Sequence, residues 1–464
     1  MKIDIKCVVL ILSLLLAGCT LHPKYRRPNI NLPTIYRDQT PQEAQAHSLG
    51  DAKWWEVFQD QKLQDLIRTA LQQNYDVRIA ASRIVQAQAQ FGVTRANQYP
   101  AVSAGANAQV LRSPKNKLQP DYQINAEQLN LSASWELDFW GKYRSATESA
   151  RAQLLATEWG RRAVVSSLVA NVASGYFQLR DLDLQLEISR RTLASRQESL
   201  KLLSTQEKGG TISLLDVRQG EQLVYTASAE IPELERLIQQ QENFLSVLLG
   251  KYAGPITRGQ TLTEQAHPPQ IPMGIPSEFL QRRPDVVEAE QVLIAQNAQI
   301  GVARAAYFPT ISLTGGGGTQ SGALNSLFTG PSGLWSFAGG VTQPIFTAGR
   351  IRSNVKLVEA QQQEAVLTYQ QTVQEAFREV SDALIGYQKA REVREQLELL
   401  TASAADASHL SALRYKGGAT SYLEVLTSET NYYSADLSLA QARANELQAL
   451  VQMYKALGGG WQEQ

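Results

Sequence analysis

The leucines Leu179, Leu182, Leu186, Leu193, Leu200 and Leu203 recur at spacings of three, four and seven, the seam of a coiled coil. The stretch Lys142 to Lys208 that carries them holds no proline, and helix formers dominate it. At a rise of 1.5 Å per residue it predicts a helix of roughly 100 Å, longer than a compact domain needs. A second such stretch, Val355 to Tyr415, has more Gln and Ala and a thinner apolar stripe. Narrow seams and wide polar faces suit a wall wetted on both sides; a coiled-coil rod with a dry axis has the same periodicity.

Two regions change period. Leu129, Leu131, Ala133, Trp135, Leu137 and Phe139 alternate with Asn130, Ser132, Ser134, Glu136 and Asp138. Successive side chains on a strand face opposite ways, so one face is greasy and the other polar, with Glu136 and Asp138 on the polar side. Val102 to Val110 alternates likewise with Ser103, Gly105, Asn107 and Gln109. Ile311 and Leu313 alternate with Ser312 and Thr314, and Trp335, Phe337 and Val341 with Ser336 and Thr342. Each run approaches the roughly 9–11 residues of a tilted transmembrane strand. A half-buried sheet in a water-soluble domain alternates in the same way; the leader described below decides for the membrane.

The chain is one unit written twice. Lys208-Gly209-Gly210 and Lys416-Gly417-Gly418 lie 208 residues apart, as do Gly141 and Gly349, and Leu249-Gly250 and Leu457-Gly458. Val93 and Val302, opening Val-x-Arg-Ala before Pro100 and Pro309, are 209 apart. Four ordered matches at nearly one offset mark a tandem duplication of about 200 residues per copy. Each copy reads as a helix ended by proline, two strands, a glycine, a long helix, a Lys-Gly-Gly turn and a return helix.

At the turns, Lys208 and Lys416 complement the helix dipole, and Gly209 and Gly417 are expected to take the left-handed position. Ser213-x-x-Asp216 and Ser421-x-x-Glu424 read as capping boxes. If copies meet here, Asp216 and Glu424 also form rings of carboxylates around an aperture.

The 464 residues carry 44 basic and 44 acidic side chains, which gives no electrostatic case for nucleic acid. Lys2 and Lys6 precede the short apolar run Val8 to Leu16, and Leu16-Ala17-Gly18-Cys19 resembles a lipobox, with lipid on Cys19 after removal of 1–18. Cleavage removes Cys7, so no intrachain disulfide is expected. No later stretch is apolar enough for a transmembrane helix, so any crossing uses strands. Four strands cannot close a barrel; three copies supply twelve, the smallest such set with room for a pore. The histidines His22, His47, His267 and His409 share no helical face, and there is no zinc spacing, serine elbow or P-loop. No catalytic site, metal or cofactor is expected.

The lipobox, Trp54-Trp55-x-Val57-Phe58-x-Asp60, Arg282-Arg283-Pro284-Asp285, Gly301 to Pro309 and Pro344-Ile345-Phe346 together resemble the outer membrane factor family, and within it the lipoprotein branch serving resistance–nodulation–division efflux systems. The resemblance covers essentially the whole mature chain. It implies a membrane α+β fold of tandem repeats: a long antiparallel coiled-coil α-barrel and a transmembrane β-barrel, four strands per protomer and twelve in a homotrimer. It implies an outer-membrane channel for small toxic compounds in a tripartite system of a Gram-negative bacterium, reaching into the periplasm. The partners are a periplasmic adaptor and, through it, an inner-membrane transporter. The adaptor-contact turns match Gly209, Gly210, Thr211, Gly417, Gly418 and Ala419. In some members a tyrosine matching Tyr415 bonds an aspartate matching Asp216 and holds the aperture shut. The assisting arginine is replaced by Thr420, and a second acidic position by Thr427.

The expected organisation is a signal peptide over 1–18, a lipidated extended segment over 19–60, repeat 1 over 61–250, a linker over 251–275 and repeat 2 over 276–464. Within repeat 1 the strands fall at about 101–139, the long helix at 142–207 and the return helix at 213–249; within repeat 2, at 310–346, 350–415 and 421–457. The alternatives are a duct for type I protein secretion or metal ions, or a non-conducting coiled-coil envelope lipoprotein tethering two layers. With Met1 removed only Met273 and Met453 remain, so a methionine path for soft metals is not evident.

Overall fold

The computed structural model describes residues 21–30, 48–114, 122–265 and 281–462. The leader, Cys19 and part of the linker lie outside these. In chain order the elements are α1 (Trp54–Val57), α2 (Gln61–Gln73), α3 (Tyr75–Ala96), β1 (Ala101–Ser113), β2 (Tyr122–Glu136), α4 (Lys142–Lys208), α5 (Leu214–Leu248), α6 (Pro284–Ala305), β3 (Thr310–Ser321), β4 (Gly333–Thr342), α7 (Arg350–Lys416) and α8 (Tyr422–Ala456).

The duplication is literal in the backbone. Helices α4 and α7 each have 67 residues, and α5 and α8 each have 35. Glycines with positive φ recur in pairs 208 apart, Gly141 with Gly349, Gly210 with Gly418 and Gly250 with Gly458. The first helix of repeat 1 is split: Asn74 ends α2 and its side chain accepts from the Asp76 and Val77 amides to start α3. Its repeat-2 partner α6 starts on Pro284, placed at the first helical position. Part of the segment expected to be extended before residue 60 is instead helical at Leu49–Asp51 and α1.

The chain divides into two compact units that cut across the repeats. The first holds the described parts of Met1–Asn29, Arg83–Glu158 and Glu288–Gln370, and the second those of Ile30–Ser82, Trp159–Val287 and Gln371–Gln464. The first unit contains one antiparallel sheet, β1-β2-β3-β4. Each strand pairs its sequence neighbour, with Val102 opposite Ala133, Trp135 opposite Leu313 and Ile311 opposite Val341. Within the glycine run of β3, Gly316 and Gly318 are pressed by the β2 backbone, whereas Gly315 and Gly317 leave room for a Cβ. A Cβ on Gly318 would lie 2.0 Å from the Leu129 carbonyl oxygen. Before the sheet, residues 21–29 lie along α6: Tyr25 and Arg27 both donate to Glu290, and Asn297 Nδ2 donates to the Pro23 carbonyl at 2.7 Å.

The second unit holds the main core. Trp54, Phe58, Leu63 and Ile67 pack with Val172, Tyr176 and Leu179 of α4, Leu234 and Leu245 of α5, and Val451 and Tyr454 of α8. Among the described residues no helix is long and apolar enough to cross a membrane.

Candidate functional site

The sheet has the chemistry of a membrane wall. Register places Val102, Ala104, Leu129, Leu131, Trp135, Leu313, Phe337 and Val341 on one face. Val102, Leu131, Trp335, Phe337 and Val341 are exposed there, with no layer of the described chain over them. Trp335 and Phe337 sit opposite Gly317 and Gly315, so large side chains alternate with space. The other face carries Ser103, Asn107, Gln109, Gln128, Asn130, Ser132, Ser134, Ser312, Thr314 and Ser336, and Ser103 and Ser132 bond across strands at 2.9 Å. From Ala108 outward this apolar face turns polar, with Glu127 opposite Ala108, Asn125 opposite Val110 and Gln123 opposite Arg112.

At the opposite strand ends the indoles are pinned. Trp135 Nε1 donates to the Gln98 carbonyl at 3.0 Å, and Trp140 Nε1 to the Pro309 carbonyl at 2.7 Å. Trp140 also stacks on Phe308 at 4.7 Å. Amphipathic rings at strand ends are the residues that make the aromatic girdles of transmembrane sheets. Ile345 and Phe346 are exposed but lie past β4, since Pro344 offers no amide to a ladder.

The strand acids divide. Glu136 is the last residue of β2, on its polar face, and takes Lys142 Nζ at 2.9 Å and the Tyr143 hydroxyl at 2.9 Å. Asp138 is not a strand residue, nor are Leu137 and Phe139. Its carboxylate accepts the Tyr143 and Arg144 amides at 3.1 and 2.8 Å, capping α4, and the chain has already left the ladder.

The other candidate site is the pair of tight turns in the second unit. Both are Schellman motifs, but one residue later than expected. Gly210 and Gly418 carry the positive φ, not Gly209 and Gly417. Lys208 and Lys416 still lie inside their helices, so the next glycine is the cap and the second one reverses the chain. Thr211 N donates to Gln206 O at 3.0 Å, and Ala419 N to Arg414 O at 2.9 Å.

Asp216 accepts both the Ser213 amide and hydroxyl, at 3.1 and 2.9 Å. Glu424 does not repeat this. It takes the Thr420 hydroxyl and pairs with Arg414 Nη1 at 3.1 Å, because Thr420 and Arg414 supply donors that its counterpart lacks. The tyrosine lock implied by the resemblance is not made within the chain. The Tyr415 hydroxyl donates to Gln206 Oε1 at 3.2 Å, while Asp216 is engaged by Ser213. Burial, with the Asp216 charge behind it, raises the Tyr415 phenol above its usual value and keeps it a donor. Below the turns Leu203, Val217, Tyr422 and Val425 form a small core, with Tyr415 edge-on to Tyr422 at 5.5 Å. Gln206, which ties the two turns through Tyr415, and Arg414, which braces the second through Glu424, were not singled out from sequence; their shared position, 208 apart, is the signal that marks them.

Family and structural comparisons agree with this geometry. The model of the outer membrane efflux protein family matches residues 66–251 and 275–459, one match per repeat. The cation efflux system protein CusC of Escherichia coli is 36% identical over 454 residues, covering 97% of this chain and 98% of that protein. The toluene efflux pump outer membrane protein TtgI of Pseudomonas putida is 38% identical over 459 residues, with 97% of each covered. Among solved structures, the open state of the Neisseria gonorrhoeae MtrE outer membrane channel superposes with a TM-score of 0.88 at 32% identity, covering 96% of this chain and 99% of that one. The chain belongs to the outer membrane efflux protein family: it is an outer-membrane channel component of an efflux system, and not an enzyme.

Proposed function

We propose that three copies of the chain close a twelve-stranded barrel and work as a passive exit duct for small toxic organic compounds. The observation that carries this is the sheet order: β1 and β4 are both edge strands with a free row of amides and carbonyls. Such an edge is not tolerated in lipid. Pairing β4 of one copy with β1 of the next satisfies every edge, and the polar face, with Glu136 at its end, then lines the lumen. Lipid on Cys19, two residues before the segment held by Glu290, adds an anchor.

The turns Gly209-Gly210-Thr211 and Gly417-Gly418-Ala419 are the proposed docking points of a periplasmic adaptor that bridges to an inner-membrane transporter. Asp216, Tyr415 and Glu424 stand at the proposed aperture. Two similar proteins are named for different cargo, cations and toluene. Met453 is 0% exposed and cannot offer its thioether to a lumen, which favours organic cargo over soft metal ions. A strain lacking the protein should lose tolerance to solvents, dyes and drugs while keeping its tolerance to copper and silver. Loss of metal tolerance alone would overturn the cargo reading.

A further inference from the structure

The tandem offset carries a further reading, which rests on the trimer proposed above. Within one chain the two helical hairpins meet along α4 and α8. Ser189 and the Tyr433 hydroxyl bond at 2.9 Å, the Arg196 guanidinium lies 4.9 Å over the Tyr433 ring, and Arg191 pairs with Asp436 at 2.7 Å. At the tip Gln206 bonds Tyr415. Because α4 and α7 have equal length, as do α5 and α8, three copies arrange six nearly equivalent hairpins in a ring. The joint inside a chain must then recur, shifted by 208, between α7 of one copy and α5 of the next.

We infer that this second joint is the subunit seam, with Tyr225 seated against Leu397 and Ala404 of the neighbouring copy and Glu207 paired across it with Arg414. Shifting the known contacts gives these residues directly: Tyr433 becomes Tyr225, Ser189 becomes Leu397, Arg196 becomes Ala404, Gln206 becomes Arg414 and Tyr415 becomes Glu207.

Their state in the single chain fits a missing partner. Tyr225 is 67% exposed, whereas its counterpart Tyr433 is partly buried. Ser189 is buried and Leu397 only half so, and Leu399, the counterpart of Arg191, is an exposed leucine. Glu207 makes no ion pair among the described residues, and Arg414 keeps a largely exposed guanidinium beside Glu424. The chemistry also divides sensibly. The joint inside a chain is polar and needs only to align two covalently linked hairpins. The joint between chains keeps the tyrosine but exchanges Ser189, Arg191 and Arg196 for Leu397, Leu399 and Ala404, whose burial drives association, and closes at the tip with opposite charges that fix register.

The test uses the full-length protein in detergent and a short bifunctional thiol reagent. Tyr225→Cys with Leu397→Cys should give covalent dimers and trimers on a denaturing gel. The reference pair, Ser189→Cys with Tyr433→Cys, should stay at monomer size and yield a linked peptide within one chain. Glu207→Lys and Arg414→Glu should each speed trimer dissociation by about fivefold, and the double exchange should restore it. A trimer by light scattering whose 225/397 variant stays monomeric on the gel, with the reference pair linked, would overturn the seam. Single charge variants that dissociate like the parent would overturn the ion pair. A native mass of one chain would instead overturn the trimer on which both rest.

Discussion

The Tyr176 hydroxyl donates to Asp60 Oδ2 at 2.7 Å, and the same carboxylate oxygen accepts from the Gln260 amide and Gln265 Nε2, both at 3.0 Å. Asp60 Oδ1 meanwhile accepts the Lys62 and Leu63 amides and caps α2. One buried carboxylate thus ties the entry segment, the long helix α4 and the linker into a single cluster. The Trp-Trp-x-Val-Phe-x-Asp signature acquires a physical reason: its aromatics fill the core and its aspartate joins three strands of chain. Asp60→Ala strands the donors of Tyr176 and Gln265, and thermal unfolding should show a loss of roughly 3 kcal/mol. A melting point equal to the parent's would contradict this.

Asp181 is 0% exposed, and its Oδ1 has no hydrogen-bond partner among the described residues. Burial pushes its pKa up to about 6, against the donated bonds of Gln185 and Gln178. Unfolded, it ionises near 4. Between those values the folded chain holds more protons, so stability falls as pH rises from about 4 to about 6, by on the order of 2 kcal/mol. Asp181→Asn should remove that slope and leave the variant more stable than the parent at pH 7, read from melting curves at pH 4.5 and 7.

The two faces of the sheet should respond oppositely to charge. Leu131→Arg places a guanidinium on the apolar face, at a cost of roughly 2–4 kcal/mol near mid-bilayer. It should block heat-resistant assembly in the outer membrane. Ser132→Arg, one residue on and facing the other way, should assemble normally. Equal tolerance of both would favour a water-soluble sheet.

Gly318 of β3 pairs with Asn130 of β2, and a methyl there would collide with the Leu129 carbonyl. Gly318→Ala should therefore lower assembly yield in pulse-chase experiments, whereas Gly330→Ala, with open space around its Cα, should not.

Most of the architecture was legible because it repeats. The offset of 208 between Lys208 and Lys416 fixed both hairpins, and period-two runs such as Leu129 to Trp135 fixed the strands. What escaped were the ends, where donors and acceptors compete locally. Asp138 continues the alternation of β2, yet the unpaired amides opening α4 hold it more strongly than a further ladder position. Gly209 and Gly210 are indistinguishable as residues; only the extra helical residue at Lys208 decides which one turns left-handed. Glu424 has the spacing of a capping box, but Arg414, ten residues back, claims it. Gln206, which replaces Asp216 as the partner of Tyr415, has no local pattern at all.

Single-channel recording of the purified protein in planar bilayers decides whether the assembled chain encloses a water-filled path. Discrete, salt-dependent conductance steps are expected, larger or longer-lived in Tyr415→Phe, which loses the bond to Gln206. Silence from the parent and from a Tyr415→Phe, Asp216→Ala double variant, with the protein inserted, would contradict such a path.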